Sequence, residues 1–454
     1  MPACRLSGAM DLLALHARTP SRWPMLLESA AFEPQRGRHD VLLGFVQDGL
    51  QLHADGVTRD LDGKPRSGAF MDLLDAAVHG HAAPAPVDGP PCWPGWGVFV
   101  GYELAGLIEP SLRLPSPPEP LPMALALRCA VAVVVDRLND CTWLLVDDRI
   151  EHAQALLEAA RAEVEAARAA AFEPLSAPVV LASEEDPAEH YQAAVAKALE
   201  YIAAGDVFQI NLSRRWKVHL AHGTSAASLF AALRQANPAP FAALLAWDDW
   251  AIVSSSPERL VSVQSDAIET RPIAGTRPRL QGEDEAARIR ELIGHPKERA
   301  EHVMLIDLER NDLGRICEAG SVEVNELMVV ESYAHVHHIV SNVRGRLRAG
   351  TTPGAVLRAV FPGGSITGCP KVRCMQLIAE LEGEGRGAYT GALGWIGHNG
   401  AMDLNILIRS LSVHRDQASF RAGAGIVADS QPDSELAETR AKARGLLRAL
   451  GLPD

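Results

Sequence analysis

A two-residue alternation in Val207-Phe-Gln-Ile-Asn-Leu-Ser213 constrains the fold more than any other segment of this chain. In an extended strand successive side chains point to opposite faces, so Phe208, Ile210 and Leu212 share one face and Gln209, Asn211 and Ser213 the other. The apolar face reads as core. The polar face carries short amides and a hydroxyl where a solvated strand would carry Lys, Glu or Thr. That suggests contact with a ligand; a satisfied buried network is the other reading. A helix precedes the strand, with Tyr191, Val195, Leu199 and Ile202 at helical spacing, Ser183 or Asp186 as its cap and Gly205 as its stop. The strands and intervening helices read along the chain agree with an α+β protein.

Residues 1 to about 150 hold short apolar runs, Val131–Asp136 and Trp143–Asp147, broken by proline-rich stretches at 82–95 and 110–122. Strands joined by long loops are expected there. Residues 151–168 read as an alanine-rich, solvated helix. A linker near Pro174 to Pro187 divides an accessory region, 1–180, from a second region, 181–454. The chain has 454 residues, 47% hydrophobic and 22% charged, enough for a large globular core. Its formal charge of -14 argues against nucleic acid, whose phosphates need clustered Lys and Arg. Seven scattered cysteines without a CxxC pair fit a reducing cytoplasm. No leader pattern and no long apolar run is present, so a soluble, unexported protein without a membrane span is expected.

The stretch Ser254–Arg279 is poorly suited to being core. It reads Ser-Ser-Ser-Pro-Glu-Arg and then Glu-Thr-Arg-Pro-Ile-Ala-Gly-Thr-Arg-Pro-Arg. Glu258 follows a proline, and the small turn Ala274-Gly275-Thr276 lies among arginines, with Pro272 and Pro278 fixing entry and exit. This suggests a wall for a bound anion. Lys297 to Leu308 reads as an amphipathic helix with Val303, Leu305, Ile306 and Leu308 toward the core and Glu301 at the stripe's edge. A last helix from about Ser434 places Glu438 and Lys442 on one face. It follows Ala422-Gly-Ala-Gly-Ile-Val-Ala-Asp-Ser430, a glycine-rich bend of the kind that cradles anions. Gly363-Gly-Ser-Ile-Thr-Gly-Cys-Pro-Lys371 lacks the Lys-Ser or Lys-Thr of a nucleotide P-loop, which excludes an ATPase of that class. On a strand His335 and His337 share a face and His338 opposes them, an awkward set for one metal; one histidine facing a ligand fits better.

From about Asp186 onward these segments, in this order, resemble the chorismate-utilising enzymes, specifically the ammonia-adding group of anthranilate synthase component I and aminodeoxychorismate synthase component I. The resemblance rests on Gly205 to Ser213, Ser255 to Arg259, Arg271 to Arg279, Lys297 to Arg315, Phe361 to Gly368 and Ala422 to Ser430. Trp23-Pro-Met-Leu-Leu-Glu-Ser29 and Gly101-Tyr-Glu-Leu resemble the family's accessory region more weakly. In anthranilate synthases the Leu-Leu-Glu-Ser region helps bind feedback tryptophan. The resemblance implies a chorismate-binding fold with two large, mainly antiparallel sheets sandwiched between outer helices. It also implies Mg²⁺ held by Glu301 and Glu438, and Glu258 as general acid for the departing hydroxyl. Arg409 and Tyr389 would bind the enolpyruvyl carboxylate, Lys442 with the amides around Gly423 and Gly425 the ring carboxylate, and Thr276 and His338 would complete the pocket.

Isochorismate-forming relatives place a lysine where this chain has Gln209, so hydration is disfavoured. No cysteine sits in a glutaminase elbow, which implies a separate glutamine amidotransferase subunit as the ammonia source. Phe361-Pro-Gly-Gly-Ser-Ile-Thr-Gly, His337-His338 and Ser254 to Arg259 resemble aminodeoxychorismate synthase, on the route to p-aminobenzoate and folate, and that activity is expected. Ala274 points to the alternative, anthranilate synthase: many aminodeoxychorismate synthases have a lysine there that attacks the ring, which alanine cannot do.

Overall fold

The computed structural model describes residues 2–30, 37–80, 90, 92–170, 174–278, 285–294, 296–332 and 336–453, without the side chains of 80, 276–278, 292, 293, 296, 297 and 336. Strand pairing among the described residues is antiparallel throughout. Two long strands, His39–Leu52 and Ala124–Asp136, pair along their whole length and join two arms. One arm runs from His39–Leu52 through Met25–Glu28, Phe241–Trp247, Trp250–Ser256, Ser410–His414 and Gln417–Ile426 to Gln209–Leu220. The other runs from Ala124–Asp136 through Gly95–Val100, Ala392–Gly397, Met402–Ile406, Arg259–Gln264 and Ala267–Arg271 to Val336–Arg346.

Three apolar layers follow. Met25, Leu43, Leu127, Leu245, Ile252 and Leu393 come from strands of both arms and form an inner core between the sheets. Helices Ala153–Ala169, Ala226–Ala236 and Pro432–Ala449 cover the outer face of the first arm, contributing Val164, Phe230 and Leu446. Helices Phe70–Gly80, Pro296–Gly314 and Pro353–Val360 cover the second with Leu74, Leu313 and Leu357. This is the expected α+β sandwich of two antiparallel sheets between outer helices, and burying both sheet faces is what its near-continuous apolar strands require. Strands of the first 180 residues pair with strands of the remainder, as Met25–Glu28 does with Ala242–Leu245 and Gly95–Val100 with Ala392–Gly397.

Some local expectations need correction. Phe208 is 72% exposed because the strand begins at Gln209, so only Ile210 and Leu212 of its trio enter the core. Val303 is 54% exposed; Leu305 and Ile306 alone of the four named side chains are fully buried. The helix Ala188–Ala203 starts at Pro187 without a side-chain cap, since Asp186 instead accepts the Arg215 N–H at 2.8 Å. Gly205, with φ +82°, stops it as expected. The last helix starts at Pro432.

Candidate active site

The chain crosses between the arms twice at neighbouring points, and each crossing carries a functional side chain. Between Trp250–Ser256 and Arg259–Gln264 it presents Glu258; between Met402–Ile406 and Ser410–His414 it presents Arg409. The crossings are stitched together. Ile406 N–H donates to the Glu258 carbonyl at 3.0 Å, Ser255 N–H to that of Arg409 at 3.1 Å, and Ser256 Oγ to that of Ile406 at 2.5 Å. Strands that leave their own sheet here lose ladder partners, and these bonds restore them. Arg409 has φ +53°, a costly left-handed conformation for a bulky residue that the two crossings hold in place.

Glu258 is 5% exposed, and burial pushes its carboxyl up to about 7 against opposing contributions from Ser365, the Ile273 N–H, Arg409 and Lys442. Ser365 Oγ donates to its Oε1 at 2.7 Å. A carboxylic acid that holds its proton near neutral pH is what protonation of a leaving hydroxyl needs. His338, buried, is pushed down to about 4, by burial first and by Arg409 next, and stands neutral beside the pocket. Burial holds the Tyr389 phenol above its ordinary range, so it remains an O–H donor. Burial likewise disfavours the charge of Arg409, while Tyr389, Glu438 and Glu258 lie close enough to support it.

The polar face of Gln209–Leu220 divides in two. Asn211 Nδ2 donates to the Ser365 carbonyl at 2.8 Å, and Ser213 Oγ lies between Glu382 Oε1 at 2.9 Å and Arg421 Nε at 2.9 Å, so these two belong to a satisfied network. Gln209 differs. It is 6% exposed and its Oε1 has no hydrogen-bond partner among the described residues, an orphan acceptor at the pocket. Gly425 and Gly423 lie opposite on the paired strand. A Cβ at Gly425 would stand 2.5 Å from Gln209 Nε2, and one at Gly423 would stand 2.5 Å from the Leu212 carbonyl oxygen and 2.8 Å from Tyr389 Oη. At Gly423 the approach is to a strand carbonyl and calls for glycine, whereas at Gly425 a Cβ would displace the end of the Gln209 side chain; neither depends on backbone φ. Lys442 Nζ reaches the Gly423 carbonyl at 3.0 Å and Glu438 Oε1 at 2.6 Å, which ties the last helix to the strand Gln417–Ile426; the bend expected at Ala422–Ser430 is strand as far as Ile426.

Ala274 is 9% exposed, faces Ile339 across the strand pair and precedes a register shift at Gly275, whose φ is +75°. The backbone of Thr276 pairs with that of His338, but its side chain lies outside the described residues, as do His335 and Arg279. His337 is buried, with Nδ1 2.8 Å from Ser332 Oγ, a structural role. Glu301 is half-buried on Pro296–Gly314, one residue from His302, whose Nε2 lies 2.6 Å from Ser341 Oγ. Among the described residues no three His, Cys, Asp or Glu side chains gather as a metal cluster. The described contacts thus join Glu258, Arg409, Tyr389, His338, Glu438 and Lys442 electrostatically, and Gln209, Gly423 and Gly425 sterically.

Three further residues, Ser365, Glu309 and Asp312, bear on the buried acid. Ser365 lies in the Phe361 to Gly368 segment that carries the family resemblance, but its pairing with Glu258, 107 positions away, has no signal in the sequence. Glu309 and Asp312 lie on one face of the helix that carries Glu301, and Lys371 Nζ is 2.5 Å from Asp312 Oδ2. Burial, then Asp312, raises the Glu309 carboxyl, and Glu258 adds to the effect. Elsewhere, a cavity of about 360 Å³ is lined by Leu27, Glu28 and Ser29 together with Phe241, Arg259 and Trp395. No described helix is long and apolar enough to cross a membrane.

Comparison with known proteins agrees with this geometry. Residues 51–448 match the family model described as chorismate binding enzyme. Aminodeoxychorismate synthase component 1 of Bacillus subtilis is 50% identical over 265 residues, 58% of this chain; the match spans only 56% of that protein's length. Anthranilate synthase component 1 of Thermus thermophilus is 40% identical over 366 residues, 80% of this chain and 79% of that protein. The crystal structure of anthranilate synthase component I from Streptococcus pneumoniae superposes with a TM-score of 0.81 at 31% identity, covering 90% of this chain and 92% of that one. The protein, with its buried acid, its arginine crossing and its glycine-lined strand pair, therefore belongs to the chorismate-binding enzymes, of the anthranilate synthase and aminodeoxychorismate synthase type.

Proposed function

We propose that the protein aminates chorismate to 4-amino-4-deoxychorismate, on the route to p-aminobenzoate and folate, using ammonia supplied by a separate glutaminase subunit. Gln209 carries the choice of amination over hydration. It is buried beside the pocket, its amide oxygen without a hydrogen-bond partner among the described residues, and an amide cannot take a proton from water. Ammonia needs no such base. The product assignment is supported by the Phe361 to Gly368 turn, which resembles aminodeoxychorismate synthases and sets Ser365 against Glu258.

In the proposed reaction the C–O bond to the ring hydroxyl breaks as Glu258 donates its proton, and water leaves. A C–N bond forms with ammonia, and the new ammonium gives up one proton, so the sum is chorismate plus ammonia to amine plus water. Arg409 and the Tyr389 hydroxyl would hold the enolpyruvyl carboxylate, with Lys442 and the strand amides at Gly423 and Gly425 on the ring carboxylate. His338 and Thr276 would close the wall. Glu301 and Glu438 are the carboxylates that would hold Mg²⁺, an ion that uses one or two protein carboxylates with water and substrate oxygens. Bound there, it would offset repulsion between protein and substrate carboxylates.

Ala274 favours a second reading, anthranilate formation. A methyl group stands at the turn, opposite Ile339, and no nucleophile at that position can add to the ring. The deciding experiment incubates purified protein with chorismate, Mg²⁺ and ammonium, without glutaminase, and identifies the product by mass. An aminated chorismate with no pyruvate is expected. Fluorescent anthranilate with one pyruvate per chorismate would replace this reading by the second, and intact chorismate would remove both.

A further inference from the structure

The accessory-region motif Gly101-Tyr-Glu-Leu plays no part in the chemistry above, yet two of its side chains end inside the same network as the pocket. Tyr102 and Glu103 form a short helical turn after the strand Gly95–Val100 and are both buried. The Glu103 carboxylate accepts the backbone N–H of Arg386 at 2.6 Å through Oε1, and that of Gly387 at 3.2 Å through each oxygen. Tyr102 N–H donates to the Gly387 carbonyl at 2.9 Å. The Tyr102 ring lies 5.0 Å from the guanidinium of Arg386, whose other neighbouring ring, at 5.6 Å, is Tyr389. Both separations fall within cation–π range.

Arg386 is buried and bonds to two segments that border the pocket. Glu382 neutralises it through two bonds, Nη2 to Oε1 at 2.6 Å and Nε to Oε2 at 3.0 Å. The same Nη2 donates to the Asn211 carbonyl at 2.8 Å, on the strand that carries Gln209. Nη1 donates to the Ile366 carbonyl at 3.3 Å, one residue beyond the Ser365 that addresses Glu258. Tyr389 follows three residues after Arg386. One guanidinium thus fixes the amide strand, the acid-facing turn and the phenol relative to one another, and its own backbone is fixed by Glu103.

We infer that Tyr102 and Glu103 of the accessory region are positioning residues of the chorismate site, acting through Arg386 on Gln209, Ser365 and Tyr389. This rests on the chorismate-amination reading, and the test separates the two. Wild-type protein must first bind chorismate by titration calorimetry and consume it with ammonium; failure at this stage sinks the functional reading, not the bracing. Glu103→Ala leaves two buried N–H groups without an acceptor, and the chorismate KM is expected to rise about ten-fold or more. Glu103→Gln keeps the Oε1 acceptor and is expected to restore the wild-type KM. Tyr102→Leu, which removes the ring facing Arg386, should raise KM, whereas Tyr102→Phe, which removes an unpartnered hydroxyl, should not. A merely destabilised enzyme loses active molecules without changing the KM for chorismate, so a rise in that KM reports positioning and not loss of fold. Equal chorismate KM for folded Glu103→Ala and wild type overturns the inference. Should that variant not fold, equal KM for Tyr102→Leu and Tyr102→Phe overturns it as well.

Discussion

Replacing Ser365 with alanine isolates the hydrogen bond that opposes burial at Glu258. The hydroxyl stands 2.7 Å from Oε1 and favours the carboxylate; burial favours the acid and prevails, leaving the group at about 7. A hydrogen bond to an ionised group contributes about 1.5 to 3 kcal/mol, and one pH unit corresponds to about 1.4 kcal/mol. Losing the bond therefore raises the Glu258 carboxyl by about one pH unit or somewhat more. Because the proposed general acid must be protonated, kcat/KM for chorismate should fall on the alkaline side, from near pH 7 in the wild type and from a higher pH in Ser365→Ala. The measurement is initial chorismate loss by ultraviolet absorbance, from mildly acidic to alkaline pH, at saturating free ammonia. On the acid side the two proteins should agree. On the alkaline side the variant should be the faster by about ten-fold. An alkaline limb that stays in place or moves to lower pH refutes the assignment of that limb to Glu258.

Three further outcomes are expected. Glu258→Gln should lower kcat by about 100-fold to 10,000-fold, yet raise the melting temperature at alkaline pH. An unfolded glutamate releases its proton near 4.5 and the folded one only near 7, so stability falls as pH rises through that window and the loss, about 3 kcal/mol, disappears with the carboxyl; a melting temperature unchanged above pH 7 contradicts this. Glu301→Gln and Glu438→Gln should each move the half-saturating Mg²⁺ concentration upward in turnover assays, and an unaltered Mg²⁺ response removes that carboxylate from the metal site. Gly423→Ala should destabilise the fold by about 2 kcal/mol and abolish chorismate binding, because the new methyl meets a strand carbonyl at 2.5 Å that cannot retreat; thermal melts and calorimetry report the two effects.

Family motifs made residues 181–454 the more readable part of the chain. Glu438 and Lys442 pair as their spacing announces, and Gly275 takes the positive φ its type allows, as a register shift within the strand Ile273–Pro278, whereas Gly423 and Gly425 lie within the strand Gln417–Ile426 and form no bend. The α+β class was readable for the same reason. Errors arose where exposure depends on a distant partner. Val303 fits an apolar stripe but faces outward, and Phe208 continues an alternation whose strand begins one residue later. Of the two readings open for Asn211 and Ser213, ligand contact or a satisfied network, the second holds, through Ser365, Glu382 and Arg421, residues more than 150 positions away in the sequence.

By itself the sequence determined the chemistry on offer: an acid, an arginine, a tyrosine and a glutamine in place of a lysine. Only the tertiary structure decided that Glu258 and Arg409 occupy adjacent crossings between two sheets. Only it decided that Ser365 addresses the acid, and that Glu103 of the accessory region anchors Arg386 across 283 residues of chain. The physical reason is range. Backbone propensity and side-chain periodicity act over a few residues, whereas proton affinity and pocket shape are set by burial and by hydrogen bonds between segments that meet only when both sheets close over one core.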